Sequence, residues 1–254
     1  MDSQNTTNKN ILINALPKSG SLYIARTLST TLSCEMIPIG KPQGPFHFID
    51  TEALYNFLSK PKSVCQEHIP ATDFHLNALH ISGLKKIVIQ FRDPRDAIVS
   101  WAHHIERQDI AQSPWIQCFL ISSGNIPENY YTLDWQNKLD HLIKHFYPQM
   151  IDWMKGWLRA AQDDRFSIMI NTYEKFVDDK ESFIQKLIEF FDLHKEDLEI
   201  QWPSDSSRMD KNINLDTHFR RGISGSHLDE LSALQLEKVN SGMDPDLAKQ
   251  FGWN

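Results

Sequence analysis

The sequence predicts an α/β fold in three layers, a central parallel sheet flanked by helices. Three observations predict it. Short apolar runs alternate with amphipathic stretches along the chain, the order that builds parallel strands joined by crossover helices. The clearest run, Lys85 to Phe91 (KKIVIQF), has a continuous β-branched core instead of a polar face, as expected of a strand covered on both sides. The chain has 254 residues, 41% apolar and 23% charged, which is enough to bury a sizeable core.

The elements follow in order. Asn10 to Leu16 (NILINAL) is an apolar run ended by Pro17 and predicts a buried strand. Ser19 to Ser33 predicts a helix, with Leu22, Ala25, Leu28 and Leu32 at helical spacing. Cys34 to Ile39 predicts a second strand, closed by the turn-forming GKPQGP at 40–45. Thr51 to Leu58 predicts a short helix with Thr51 as its cap. Ser63 to Gln66 predicts a short strand and Thr72 to Ser82 a helix. Lys85 to Phe91 runs straight into the polar turn RDPRD, and Asp96 to Glu106 predicts the helix after it. Ser113 to Tyr131 reads as irregular chain, and Leu133 to Ala161, rich in Trp and Leu, as one long helix. Phe166 to Asn171 (FSIMIN) predicts another buried strand and Lys180 to Phe191 an amphipathic helix. Trp202 to Phe219 is polar without a clear period, and Asp229 to Asn240 predicts a final helix. There are no repeats and no linker, so residues 1–254 are expected to form a single domain.

Composition narrows the function classes. A net charge of −7 argues against a nucleic-acid binder, which needs a basic face, but leaves room for a local basic pocket. Cys34, Cys65 and Cys118 are odd in number, widely spaced and without a CxxC pair, which suits reduced thiols and supplies no zinc site. The polar start MDSQNTTNKN lacks the apolar run of a signal peptide, and no stretch reaches the roughly 20 apolar residues of a membrane span. A soluble, cytoplasmic protein is expected.

In a parallel sheet, ligands bind at the carboxyl ends of the strands. Pro17-Lys18-Ser19-Gly20-Ser21-Leu22-Tyr23 lies at such an end and opens a helix. Gly20 permits close backbone approach, the first helical turn leaves amide hydrogens free, Ser19 and Ser21 add hydroxyls, and Lys18 adds a charge. This is a phosphate-sized anion cradle. The same residues would also suit an ordinary turn with a capping serine. It is not a Walker A loop, because G-x-x-x-x-G-K-[ST] is absent. Arg92 stands at the end of KKIVIQF, where a guanidinium can fork onto a phosphate, and Ser100 lies on the helix that follows.

These segments carry a resemblance. PKSGSLY resembles the PKSGTTW loop of the cytosolic, 3′-phosphoadenosine-5′-phosphosulfate (PAPS)-dependent sulfotransferases, which binds the 5′-phosphosulfate. Here Ser21-Leu22 stands in place of two threonines, and Tyr23 in place of a tryptophan that stacks on the adenine. RDPRDAIVS at 92–100 is similar to that family's R-[ND]-P-[RK]-D-x-x-x-S element, which implies Arg92 and Ser100 as ligands of the 3′-phosphate. Gln66-Glu67-His68-Ile69-Pro70 resembles KTHLP and implies His68 as the catalytic base, although Gln66 and Glu67 replace the lysine and threonine. FRRGISG at 219–225 is similar to the segment that closes over the 3′-phosphate, which implies Arg220, Arg221 and Gly222. Tyr173-Glu174 resembles the start of Y-E-D-[LM], which implies Tyr173 near the adenine, and Ser207 is a further candidate adenine contact.

The resemblance implies a P-loop-like fold and transfer of a sulfuryl group from PAPS, with adenosine 3′,5′-bisphosphate as product and no metal. Lys18 and His68 would be the catalytic residues, and Lys18, Ser19, Gly20, Ser21, Leu22 and Tyr23 would form the cofactor loop. The acceptor would be a small-molecule hydroxyl or amine. Phe46, Phe48, Trp115, Phe119, Tyr130 and Tyr131, in 40–50 and 105–131, suit an apolar or aromatic alcohol. No nucleic acid or membrane partner is expected, and oligomeric state is open. His103 and His104 are candidates to face the acceptor. Two alternatives belong to other classes: a P-loop small-molecule kinase, which needs a Walker lysine and a magnesium ligand, and a nucleotide-binding protein without catalysis.

Overall fold

Alternation along the first strand sets up the layers. In β1 (Lys9–Ala15), Ile11 and Ile13 face one side of the sheet while Leu12 faces the other, as the two-residue period of a strand requires. The computed structural model describes residues 9–193, 198–203 and 224–253. In chain order, α1 (Ser21–Leu32) returns from β1, and β2 (Glu35–Met36) follows. Next come β3 (Gly40–Gln43), β4 (Phe46–Ile49), α2 (Thr51–Ser59), β5 (Lys62–Glu67), α3 (Asp73–Ile81) and β6 (Lys86–Phe91). After them come α4 (Pro94–Ile105), α5 (Gln108–Ala111), α6 (Pro114–Ser122), a 3-10 turn at Tyr130–Thr132, α7 (Trp135–His145) and α8 (Tyr147–Ala160). The last elements are β7 (Ser167–Thr172), α9 (Tyr173–Asp178), α10 (Lys180–Phe190), α11 (His227–Glu230), α12 (Ala233–Gly242) and α13 (Pro245–Phe251).

Five strands form one parallel sheet in the order β2-β5-β1-β6-β7. Its registers pair Ile13 with Gln66, Ala15 with Gln90, and Phe91 with Thr172. The carboxyl ends of β5, β1, β6 and β7 therefore lie side by side on one edge. On one face, Ile11, Ile13, Val64 and Val88 pack against Ile24 and Leu28 of α1 and Phe183, Ile184 and Leu187 of α10. On the other, Leu12, Cys65, Ile87 and Ile89 belong to a larger core with Ile98 of α4, Leu142 of α7, and Met154 and Trp157 of α8. Full burial of side chains of this size is worth about 1.5–3 kcal/mol each, so both faces hold the sheet. The predicted three-layer α/β architecture is the one observed.

Local chemistry moved several boundaries. Asp50, not Thr51, caps α2: its carboxylate accepts from the amides of Glu52 (2.9 Å) and Ala53 (3.1 Å). The strand expected over 34–39 shrinks to Glu35–Met36, and GKPQGP is no plain loop, since its first four residues are β3, which pairs with β4 in an antiparallel hairpin. The segment expected to be irregular contains α6, which Ser113 caps at the amide of Ile116, with Pro114 in its first turn. The long helix over 133–161 is two helices, with Pro148 in the first turn of the second. The helix expected over 229–240 divides into α11 and α12, and α13 follows it. Ser232 and Gln235 close a capping box at the start of α12, and Pro245 opens α13. Among the described residues, all three cysteines are free, and no helix is long and apolar enough to cross a membrane.

Candidate active site

The site is assembled from four loops leaving adjacent strand ends. After β1, the chain turns through Lys18 at φ 70° and Gly20 at φ 77°, both left-handed, before entering α1. Gly20 is needed there twice over: its backbone is left-handed, and a Cβ would stand 3.0 Å from the Tyr173 ring. The loop is tied to β6, with Leu16 N donating to Gln90 O (2.9 Å). Ser19 is buried, and its hydroxyl oxygen has no hydrogen-bond partner among the described residues. Buried polar groups are normally paired, so this hydroxyl lies ready for a ligand. Ser21, also buried, begins α1, whose first turn leaves amides free; Leu22 and Tyr23 are half-buried on the same turn.

Lys18 is half-buried. Burial first, and then the Arg107 and Arg92 guanidinium charges, push its ammonium down to about 7. Three cations converge here, Arg107 paired with Asp109 and Arg92 4.0 Å from Asp96, and an anion at the loop would favour the Lys18 ammonium. Arg107 was not foreseen from sequence. It follows α4, where nothing in the helical pattern marks it.

Arg92, at the end of β6, donates through Nη1 to Lys18 O (2.9 Å), and its guanidinium lies over the Tyr173 ring (4.3 Å to the centroid). Tyr173, at the end of β7, thus packs between Gly20 and Arg92. Asp93 caps α4 at the amide of Arg95 (2.9 Å) and receives the Arg95 fork, so Arg95 is buried and structural. Ser100 sits one turn beyond Asp96 on α4.

Asp96, in the first turn of α4, holds a second segment of chain. Its carboxylate accepts from the amides of Gly225 (2.7 Å) and His227 (3.0 Å), from Ser226 Oγ (3.2 Å) and from His227 Nδ1 (2.8 Å). Burial opposes its charge, but the His227 contacts and Arg92 hold it well below the usual carboxylate range. Ser207, Arg220, Arg221 and Gly222 lie outside the described residues. Ser224 also hydrogen-bonds Asp96 (3.4 Å).

After β5, His68 Nδ1 hydrogen-bonds Ala15 O at 2.7 Å. A carbonyl only accepts, so Nδ1 carries the proton and Nε2 presents its lone pair, 3.3 Å from Gln66 Nε2. Burial first, and then His47, push the imidazole down to about 4, so it is neutral near pH 7. Its backbone is clamped. Ile69 N donates to Asn14 Oδ1 (2.6 Å), and Ile69 O accepts from Asn14 Nδ2 (2.8 Å), Trp153 Nε1 (2.9 Å) and Trp157 Nε1 (2.8 Å).

Other sequence candidates are placed differently. His103 pairs with Glu230 and packs on Trp135, and His104 packs on Trp101. Phe46 stacks on Trp153, and Tyr130 is fully buried, so both belong to the core. Phe48 and Trp115 are exposed. Trp202 stacks on Tyr23, with centroids 6.3 Å apart, and Lys180 Nζ lies over the same ring (5.7 Å). Neither residue carried a signal in a polar stretch or on an ordinary amphipathic helix.

Comparison with known proteins gives the family. No curated protein matches the chain. Among solved structures, mouse sulfotransferase SULT7A1 complexed with PAP is similar at 16% identity, covering 92% of this chain and 82% of that one, with a TM-score of 0.61. Retinol dehydratase in a complex with retinol and PAP is similar at 13% identity, with 92% and 80% covered and a TM-score of 0.53. Its complex with androsterone and inactive cofactor PAP gives 14%, 92%, 79% and 0.53. At these identities the structures share a fold. The sequence model of the sulfotransferase domain matches residues 8–251, which takes in every strand of the sheet and all four strand-end loops, and the chain therefore belongs to the sulfotransferase domain family.

Proposed function

We propose that this sulfotransferase uses PAPS as donor and a small-molecule hydroxyl or amine as acceptor, with residues 1–254 acting as one domain. The observation that carries the reading is the convergence of the Lys18 loop, Arg92 and His68 on one edge of the sheet, with Arg92 hydrogen-bonded to the Lys18 carbonyl. Structurally similar proteins crystallised with PAP support the donor, and those with retinol or androsterone support a small acceptor.

The residues present fit such a donor. The Ser19 hydroxyl without a partner, the lowered Lys18 ammonium and the free amides at the start of α1 form an anion site. Ser19, Gly20, Ser21, Leu22 and Tyr23 would hold the 5′ end. Arg92, Ser100, Arg220, Arg221 and Gly222 would hold the 3′-phosphate. Tyr23, with Tyr173 and Ser207, would contact the adenine, and the parallel faces of Tyr23 and Trp202 support stacking there. The bound donor supplies the sulfuryl group and departs as adenosine 3′,5′-bisphosphate.

His68 takes the acceptor's proton at Nε2, the nitrogen its Ala15 hydrogen bond leaves unprotonated. Lys18 and the loop amides stabilise negative charge on the departing side, where preorganised donors favour the transition state over the ground state. Arg92 orients from a distance. An acceptor screen with labelled PAPS, following label transfer, tests the reading. Lys18→Ala and His68→Ala should each remove all but a trace of turnover, still countable with labelled donor, while the fold, read by circular dichroism, survives. Unchanged turnover in His68→Ala would remove His68 from the mechanism, and transfer of phosphate from ATP instead of sulfate from PAPS would overturn the donor.

A further inference from the structure

Beside His68 stands a second imidazole bound to a buried carboxylate. Glu67, on β5, is 1% exposed. Its Oε1 accepts from the amides of Ile39 (2.7 Å) and Gly40 (2.8 Å), and its Oε2 is hydrogen-bonded by His47 Nδ1 from β4. Burial works against this carboxylate, but the His47 contact and the two amides hold it below its usual range. The carboxylate is thus fully engaged and not available as a base. His47 is tied a second time, its backbone amide donating to His68 O at 3.1 Å. The two imidazoles meet edge to face, with centroids 5.1 Å apart and planes 73° apart. No room is left over: a Cβ on Gly40 would stand 2.6 Å from Glu67 Oε2 and 2.9 Å from His47 Cβ.

A buried, charged carboxylate is costly unless it is paired and hydrogen-bonded, and here the two amides, His47 and the Cys65 thiol (3.8 Å) supply four donors. What this one arranges is the His47 ring, and what that ring touches is His68. We propose that Glu67 and His47 are positioning residues, a carboxylate–imidazole pair that fixes the β3–β4 hairpin against the His68 ring and holds that ring in its proton-accepting orientation. The inference rests on the reading of His68 as the base. The orientation has two supports, the Ala15 carbonyl at Nδ1 and the His47 ring at the flank. Removing the second frees the ring to rock about the first. Misplacement of a reacting group by about 1 Å can cost on the order of 100-fold in rate.

The test is a double-mutant cycle on labelled sulfuryl transfer, with His47→Phe, His68→Ala and the double variant. His47→Phe keeps a ring but loses the tie to Glu67. It should lower kcat about 10- to 100-fold while KM for PAPS and calorimetric affinity for adenosine 3′,5′-bisphosphate stay unchanged. In the His68→Ala background, His47→Phe should then have no further effect on rate. Glu67→Leu, which cannot bind His47, should show the same kcat-only loss and serves if His47→Phe does not fold, while Glu67→Gln, which keeps a hydrogen-bonding side chain, should lose much less. Wild-type kcat in both His47→Phe and Glu67→Leu overturns the proposal, as does an equal loss from His47→Phe with and without His68. If His68→Ala itself turns over at the wild-type rate, the assignment of the base fails, a result separable from failure of the pair.

Discussion

Arg92 donates from Nη1 to the carbonyl oxygen of Lys18 at 2.9 Å. The end of β6 is thereby fastened to the loop after β1, and a cation proposed for one end of a nucleotide also fixes the backbone proposed for the other. Arg92→Lys should therefore do more than remove a fork. It loses the Lys18 tie and the stack on Tyr173, and affinity for adenosine 3′,5′-bisphosphate should fall roughly 10- to 100-fold. Isothermal calorimetry on the variant checks this, and an unchanged Kd would exclude Arg92 from the phosphate site.

The pH dependence of kcat/KM should be bell-shaped. This ratio reports groups of the free enzyme. His68 accepts a proton only when neutral, and its imidazole lies at about 4, so activity should fall as pH drops through about 4. Lys18 attracts an anion only when protonated and lies at about 7, so activity should fall as pH rises through about 7. The acid limb thus sits well below the usual imidazole range. Initial rates at limiting substrate across this range check both limbs.

Asp96→Ala should loosen the docking of 224–227 on α4. Its carboxylate serves two amides, a hydroxyl and an imidazole, and removing one partner of such a buried group costs roughly 3–5 kcal/mol. Because the folded state holds Asp96 below the ordinary aspartate range, its contribution is complete above that range and lost as pH falls below it. Urea titrations should show the variant less stable at neutral pH, with the gap narrowing in acid.

Asn14→Ala should cost about 1–3 kcal/mol, because the Ile69 amide loses its buried acceptor while the Ile69 carbonyl keeps its two indole donors. Thermal melts measure this. Turnover should fall further than the loss of folded protein explains, since Ile69 adjoins His68.

The strands were legible because both their faces are covered, which writes them as uninterrupted apolar runs such as KKIVIQF. Lys18 and Arg92 were legible because each follows such a run, His68 and Tyr173 were named through the resemblance of QEHIP and YE, and the structure brings all four to one edge. Less visible were features set by tertiary context. The segment PWIQCFLIS is apolar all round, so α6 shows no stripe to read. The break between α7 and α8 was signalled only by Pro148. Trp202, Arg107 and His47 reach the site from segments distant in sequence, and nothing local announces such meetings. Glu67 read as a departure from a familiar pattern, and only its four donors reveal what it holds.

The triple hydrogen bonding of the Ile69 carbonyl has a consequence for selectivity. Two indoles of α8 and an amide of β1 anchor the main chain beside His68 to the most deeply packed part of the molecule. A socket fixed in this way does not adapt its shape to an incoming alcohol. With His68 as the proposed base, acceptors would be sorted by their route to the imidazole, along the β3–β4 hairpin whose His47 flanks it, so exchanging that hairpin beyond His47 should redirect the enzyme to new acceptors without disturbing the imidazole they approach.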